Sequence, residues 1–206
     1  MGALPPPAAA MGGGAGIAYE VHGDGERTVL MLNGVGDPKE AWMHQIPPLA
    51  TRMRVVVMDN RGVGASGPAP PDLSAASMAA DALAVVDGLG AGPVHVLGHS
   101  LGGMAAQELA LARPAAVASL TLACTYAAPG PFCARLLGDL ARVAAAPGGA
   151  LLARRQMVMW GFSPAYFAAA PQEVAQIDAI IEAADPAPAP LVAQLRAAAA
   201  HDASGR

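Results

Sequence analysis

Short apolar runs alternate with amphipathic stretches from residue 17 to residue 124. Such runs, bounded by turn residues, are typical of strands buried on both faces of a sheet. After a short candidate strand, "IAYEVH", these runs are "TVLMLN", "VVVMD", "VHVLG" and "VASLTLAC". Apolar residues at helical spacing separate them over residues 39–52, 74–89 and 101–113. This alternation predicts an α/β fold with a mostly parallel sheet that helices cover on both faces.

The pattern changes after Tyr126. Residues 128–204 contain no clear strand, only helical stretches separated by Pro and Gly, and they are too apolar for a linker. We expect them to form a helical layer over one edge of the sheet. Residues 1–14 are rich in Pro, Ala and Gly and are predicted to be disordered. The chain thus divides into a disordered tail (1–14), a core (15–127) and a helical cap region (128–206).

Composition narrows the class of protein. The chain is 54% hydrophobic and 14% charged, against about 25% charged residues in a typical domain, which favours a compact fold over disorder. A net charge of −4 gives no basic surface for nucleic acid. No apolar run reaches the ~18 residues that a membrane span needs. Two cysteines, Cys124 and Cys133, make no disulfide framework. We expect a cytoplasmic protein with a small-molecule substrate.

One segment carries candidate chemistry. Ser100 lies between Gly98 and Gly102, after the predicted strand "VHVL" and before an amphipathic helix. A G-x-S-x-G sequence in that setting is typical of a nucleophile elbow, a strained turn that raises the serine hydroxyl above the sheet. The N-terminus of the following helix offers free N–H groups to a developing oxyanion. Ser100 is therefore the candidate catalytic nucleophile; the alternative is a glycine-rich turn with a capping serine.

These residues resemble the α/β-hydrolase superfamily, and the resemblance covers residues 17–126 closely. "MLNGVGDPKEAW" is similar to the family's H-G-x-G loop, with Asn33 in place of the usual histidine. The resemblance implies that the oxyanion hole consists of the backbone N–H groups of Val35 and Leu101. It also implies a hydrolase sheet with a helical cap, and no metal or organic cofactor. The chain looks most like the branch of small esterases, enol-lactonases and non-haem perhydrolases.

A second glycine-rich segment needs a different interpretation. "GVGASG", residues 62–67, matches G-x-G-x-x-G after a strand, but "PAPPDL" follows it. A dinucleotide site needs a helix to begin within the motif, and no helix begins in that proline-rich stretch. The segment is similar to the superfamily's D-x-R-G-x-G-x-S stretch. We therefore interpret it as a structural loop fixed by Asp59 and Arg61.

The base that would activate Ser100 is hard to find in the sequence. Triads of this fold run in the order serine, acid, histidine. Of the five histidines, His201 alone follows Ser100, and no acid-bearing strand precedes it. The sequence therefore resembles the N-terminal portion of a hydrolase, without its C-terminal strands, its catalytic acid and its catalytic histidine. In the family the next strand pairs with the one predicted at Val117–Cys124, so we expect an exposed sheet edge there that favours self-association.

The helical cap region contributes candidate substrate contacts. The superfamily's cap lines the substrate pocket, and "MVMWGFSPAYF" concentrates aromatic residues. Trp160 and Phe162 are the candidate pocket walls; the alternative is that they form the core of the cap. The predicted activity is hydrolysis of a small or medium carboxylic ester, lactone or related acyl substrate. The alternatives are a non-catalytic binding protein of the same fold, and an acyltransferase or perhydrolase that uses the same serine.

Overall fold

A mixed, mostly parallel sheet forms the centre of the protein. The computed structural model describes residues 8–12 and 16–206, and in them the sheet has six strands. The strands are β1 (Ala8–Gly12), β2 (Ile17–His22), β3 (Thr28–Leu32), β4 (Arg54–Met58), β5 (Val94–His99) and β6 (Val117–Ala123). Their order across the sheet is β1-β2-β4-β3-β5-β6. β3 to β6 run parallel, and β1 and β2 pair antiparallel, so the predicted fold class is confirmed.

Helices fill the intervals between the strands and the whole region after β6. They are α1 (Ile46–Ala50), α2 (Ala75–Gly88), α3 (Leu101–Ala112), α4 (Pro131–Ala145), α5 (Gly149–Gly161), α6 (Pro164–Ala169), α7 (Pro171–Ala183) and α8 (Pro188–Ala200). The predicted helix at 74–89 is confirmed as α2. It begins after Ser74, which forms a capping box with Ser77. The stretch 39–52 instead divides into a 3-10 turn (Lys39–Trp42) and the short α1, whose first turn contains proline.

The prediction of a disordered tail over residues 1–14 is wrong for Ala8–Gly12. These residues form β1, which pairs in register with β2 from Ala8 opposite Val21 to Gly12 opposite Ile17. The outer edge of β2 offers a ladder of N–H and C=O groups, and pairing with it outweighs a composition that has little strand propensity of its own. The rest of the predicted tail, 1–7 and 13–14, lies outside the described residues.

Side chains of the central strands alternate between two cores. On β3, Leu30 and Leu32 belong to the larger cluster, under α2, α3 and the cap helices. Val29 and Met31 point to the other face, where they pack with Ile46 and neighbours on β4. A strand buried on both faces has no polar positions to alternate with, which explains the continuous apolar runs in the sequence.

The cap region is tied back to the end of β6. The Tyr126 hydroxyl donates to the carbonyl of Ala198 on α8 at 2.7 Å, and the Ala203 N–H donates to Ala127 O at 2.7 Å. Burial raises the pKa of Tyr126 to about 12, so the phenol stays protonated and keeps this hydrogen bond over the physiological range. Along the described parts of the chain, no helix has the length and apolar character needed to cross a membrane.

β6 forms one edge of the sheet. It pairs with β5 on one side, and on its other side no strand of residues 8–12 or 16–206 joins it. Five of its seven residues are exposed, among them Leu120 and Leu122. An uncharged, proline-free edge with exposed leucines is a template for pairing with another chain.

We therefore propose that a second copy of this chain pairs with β6, and that Leu122→Lys weakens this self-association. A lysine on an edge strand disfavours strand pairing through its charge. Light scattering across a concentration series should give a lower mean mass for this variant than for the wild type. Leu111→Lys, at another exposed leucine on α3, is the matched control and should leave the mass unchanged. A wild type that stays monomeric at high concentration would contradict the proposal.

Candidate active site

Ser100 occupies a strained turn between β5 and α3. Its φ of 51° and ψ of −119° lie where non-glycine residues are rare, at a cost of about 1–3 kcal/mol. The end of β6 supports this backbone: the Ser100 N–H donates to Ala123 O at 2.9 Å, and Thr125 Oγ1 donates to Ser100 O at 2.8 Å. The turn has the geometry that the G-x-S-x-G sequence predicts.

Close backbone approach requires the glycines on both sides of Ser100. A Cβ at Gly98 would lie 2.5 Å from the carbonyl oxygen of Gly102. A Cβ at Gly102 would lie 2.2 Å from Leu32 O and 2.6 Å from Asn33 O. The first turn of α3 is therefore pressed directly against the chain that leaves β3. Only glycine allows that approach.

Residues 33–38, which follow β3, form the β3 loop. Asn33 is buried, and its side-chain amide donates to Pro38 O at 2.8 Å, which closes the loop on itself. Asn60 Nδ2 in turn donates to Asn33 O at 2.9 Å. The residue that stands where the superfamily has histidine thus has a structural role here.

The two predicted oxyanion donors lie on the two chain segments that approach each other at Gly102, the β3 loop and the start of α3. Val35 is in the β3 loop and Leu101 is the first residue of α3, and both side chains are buried. Within the described residues, no protein acceptor takes a hydrogen bond from either backbone N–H. The Leu101 N–H also belongs to the N-terminal turn of α3, where the helix dipole favours negative charge. Their joint role as an oxyanion hole stays a prediction.

Two side chains that the sequence analysis did not single out hold the β3 loop. Arg154 on α5 donates to Val35 O and, at 2.7 Å, to Asp37 Oδ1. Gln194 on α8 accepts from the Gly36 N–H at 2.7 Å and donates to Arg61 O at 2.9 Å. The available signal was weak: a glutamine within the otherwise apolar helical run "LVAQL".

The glycine-rich segment at residues 62–67 is a structural loop, as predicted. Asp59 is fully buried, and its carboxylate accepts from the N–H groups of Lys39 at 2.7 Å and Ala65 at 3.1 Å. Burial lowers the pKa of Lys39, but its hydrogen bonds to Glu40 and Asp59 outweigh burial and leave that pKa raised. Arg61 forms a bidentate pair with Asp81 on α2, which anchors the loop to the core.

His201 lies away from Ser100. Its side chain is buried, and Nδ1 lies 3.4 Å from Oε1 of Glu108. Glu108 is eight residues beyond Ser100 on α3, which corresponds to about 12 Å along the helix. His99, the neighbour of Ser100, packs its ring edge-on to Trp42 at 6.5 Å between centroids. Among the described residues, no histidine ring is hydrogen-bonded to the Ser100 hydroxyl.

The aromatic residues of the cap form pairs with one another. Trp160 is 61% exposed and contacts Phe132 at 5.6 Å between ring centroids, and Phe162 stacks on Tyr166 at 4.7 Å. A cavity of about 440 Å³ lies elsewhere, between the β3 loop, the 62–64 turn and helices α5, α7 and α8. Neither Trp160 nor Phe162 lines it, so their assignment as pocket walls stays a prediction.

The fold and the strained serine turn define a class of α/β proteins in which a nucleophile elbow follows a central parallel strand. A family model described as "alpha/beta hydrolase fold" matches residues 27–143, more than half of the chain. The chain belongs to the alpha/beta hydrolase family.

The chain is similar to curated proteins whose names describe carbamate hydrolases. The chain is 37% identical over 147 residues to "Putative carbamate hydrolase RutD" of Azorhizobium caulinodans, a match that covers 71% of this chain and 55% of that protein. A RutD of Caulobacter vibrioides is 38% identical over 120 residues, 56% of this chain and 45% of its own length. The chain thus spans about half the length of these relatives.

Solved structures share the fold over most of the chain. A hydrolase from Pseudomonas aeruginosa PA01 superposes with a TM-score of 0.77 at 28% identity, covering 95% of this chain and 73% of that one. The enol-lactonase from Burkholderia xenovorans LB400 superposes with a TM-score of 0.82 at 22% identity, covering 95% and 74%. At that lower identity the likeness concerns the fold alone.

We expect Gly102→Ala to destabilise the protein. The added methyl would meet Leu32 O at 2.2 Å, and relieving such overlap costs about 1–3 kcal/mol or more. Urea unfolding should show a lower midpoint. Gly138→Ala, inside α4 where an added Cβ meets no other part of the protein, is the control and should raise stability by up to about 1 kcal/mol. Equal stabilisation by both changes would contradict the close approach at the elbow.

We also expect the free energy of unfolding to fall as pH decreases below about 6.5. Burial lowers the pKa of His201 in the folded state, and the charge of Glu108 offsets only part of this effect. The unfolded chain then binds more protons than the folded one, so stability is complete above the unfolded pKa and is lost as pH falls toward the folded pKa. Urea titrations between pH 7.5 and 5.5 measure the slope.

His201→Gln should reduce this slope, whatever it does to stability at neutral pH. His44→Gln is the matched control, since His44 is exposed on the surface. An unchanged slope in the His201 variant would show that other groups cause the pH dependence.

Proposed function

We propose that Ser100 is the nucleophile of a serine hydrolase that acts on a small or medium ester, lactone or related acyl substrate through an acyl-enzyme. The single observation that carries the proposal is the strained backbone of Ser100 at the start of α3. Strain of 1–3 kcal/mol, roughly, persists only where the surrounding structure enforces it, and it is concentrated at functional sites.

The chemistry follows from the position of the serine. Ser100 Oγ forms a bond to the substrate carbonyl carbon while its proton passes to a general base. The carbonyl oxygen becomes an oxyanion, which the N–H groups of Val35 and Leu101 stabilise. When the bond to the leaving group breaks, that group takes up the proton, and water then releases the acid by the same steps. The names of the curated relatives add carbamates to the candidate substrates, because a carbamate presents the same carbonyl electrophile.

We also propose that these 206 residues do not contain a complete catalytic triad. The five histidines have other places in the fold, and the nearest in sequence, His99, is the neighbour of the nucleophile itself. We propose that the base and its acid partner come from residues other than these. The oxyanion donors alone then support weak chemistry, since removal of a triad member leaves residual catalysis of about 10³–10⁴-fold over water in known cases.

An acyltransferase that uses the same serine is the second candidate. It is favoured by a match of 36% identity over 109 residues to the dihydrolipoyllysine-residue acetyltransferase component of an acetoin cleaving system from Cupriavidus necator, which covers 53% of this chain and 29% of that protein. Product analysis with water and with an added thiol or alcohol as competing acceptors separates hydrolysis from transfer. We also propose a reducing, cytoplasmic location, in keeping with the free thiols of Cys124 and Cys133.

A fluorophosphonate should label the folded chain slowly at Ser100. Its fluoride leaves readily enough for an oriented serine to react with water as the base, and the adduct on phosphorus resembles the tetrahedral intermediate. Mass spectrometry of peptides should place the adduct on Ser100, and Ser100→Ala should abolish it. The urea-unfolded chain is the control for unspecific reaction and should stay unlabelled. Absence of label on the folded wild type would favour the non-catalytic binding protein over the hydrolase.

Turnover of p-nitrophenyl acetate should stay at or near background for the same chain, since no base is in place. Robust turnover that Ser100→Ala abolishes would contradict the incomplete triad while it supports the nucleophile. His201→Ala would then test whether His201 reaches the serine after rearrangement.

A further inference from the structure

We propose that Arg154 and Gln194 are positioning residues: together they hold one peptide of the β3 loop so that the neighbouring Val35 N–H stays free and oriented for the oxyanion. The inference rests on the proposed function of Ser100. It assigns a role in catalysis to two side chains of the helical cap region, neither of which touches the reacting atoms.

The two side chains bind the two polar ends of a single peptide unit. The carbonyl of Val35 and the N–H of Gly36 belong to the same planar group. Arg154 Nη1 donates to that carbonyl, and Gln194 Oε1 accepts from that N–H at 2.7 Å. The plane is therefore held from opposite sides by α5 and α8.

Each of the two side chains is itself anchored. Arg154 is largely buried and also donates to Asp37 Oδ1 at 2.7 Å, which fixes the plane of its guanidinium. Gln194 is fully buried, and its Nε2 donates to Arg61 O at 2.9 Å. Both side chains line the cavity of about 440 Å³. Hydrogen bonds at this depth are costly to break, because a buried polar group without a partner loses its solvation.

Fixing this peptide constrains the one before it. Gly36 has a φ of +69°, a conformation that few other residues adopt, so the turn at this point depends on its contacts as well as on its sequence. If the 35–36 peptide rotates, ψ of Val35 and φ of Gly36 change. The tight turn then no longer fixes the adjoining 34–35 peptide, which carries the Val35 N–H. An oxyanion donor contributes most when it is oriented before the reaction begins. The bonds from Arg154 and Gln194 supply that orientation.

The competing explanation is that the pair only joins the cap region to the core. The two explanations differ in what a variant loses. Loss of attachment alone lowers the stability of the whole fold. Loss of orientation slows bond formation at Ser100 and leaves the reversible binding of a probe unchanged. The test must therefore separate the maximal labelling rate from the probe concentration that gives half of this rate.

The experiment measures phosphonylation of Ser100 by a fluorophosphonate across a range of probe concentrations, with the full chain in every case. Arg154→Ala and Gln194→Ala should lower the maximal labelling rate about tenfold or more, with the half-saturating concentration unchanged. Gln194→Glu keeps the acceptor for the Gly36 N–H but has no donor for Arg61 O, and should restore part of the rate. Arg154→Lys keeps the charge but loses the planar fork, and should also restore part of it.

Arg155→Ala is the matched control. Arg155 is the next residue on α5 and pairs with Glu182 on the surface, so its loss removes an arginine and an ion pair without touching the β3 loop. Its labelling rate should equal that of the wild type. Hydrogen exchange of the Gly36 amide provides a second readout: it should accelerate about tenfold or more in Gln194→Ala and stay slow in Arg155→Ala.

The outcomes separate the two proposals. A wild type that is labelled, with Arg154→Ala and Gln194→Ala labelled at the same maximal rate, would overturn the positioning role and leave the proposed function intact. A folded wild type that is not labelled would overturn the proposed function, and the catalytic part of the positioning role with it. Rapid Gly36 exchange in the wild type would overturn the role by itself. Urea unfolding of each variant identifies any that lose the fold.

Discussion

The close approach of α3 to the β3 loop is the constraint on which the candidate site depends. Two backbones, at Gly102 and Leu32, lie so near that a single methyl group would collide with a carbonyl oxygen. This approach places the N-terminus of a twelve-residue helix beside a loop with a free N–H group. The strain at Ser100 follows from it, because the chain must pass from strand to helix within one residue. The surrounding hydrogen bonds at Ala123 and Thr125 maintain that strain.

The helical cap region contributes to the site through polar contacts as well as through packing. Helices α5 and α8 each send one buried side chain to the β3 loop, and Tyr126 joins α8 to the end of β6. Since these contacts link residues more than seventy positions apart, the loop conformation depends on the cap being in place. The cap therefore holds the β3 loop, against which the first turn of α3 is packed.

Buried charge has a different role in this chain. Asp59 with Lys39, Arg61 with Asp81, and Glu108 with Arg206 all tie loops or chain ends to the core. Each buried carboxylate has a cationic partner or several N–H donors, as desolvation requires. His201 joins the last of these groups, and burial lowers its pKa. These buried charges are thus structural, whereas Ser100 is the residue for which we propose a chemical role.

The sequence by itself determined the alternating elements, the two-sided burial of β3 and β4 and the elbow at Ser100, because these depend on local periodicity and on glycines at fixed spacing. It was wrong about β6, whose apolar run is mostly exposed. It misjudged Ala8–Gly12, whose strand exists only through pairing with β2. It gave no signal for Arg154, and His201 proved distant from Ser100, because both positions depend on how helices far apart in sequence pack. The elbow can be predicted because the residues that form it are neighbours in sequence. The residues that orient the β3 loop or bury His201 depend on tertiary contacts, because distance along the sequence does not predict distance in space.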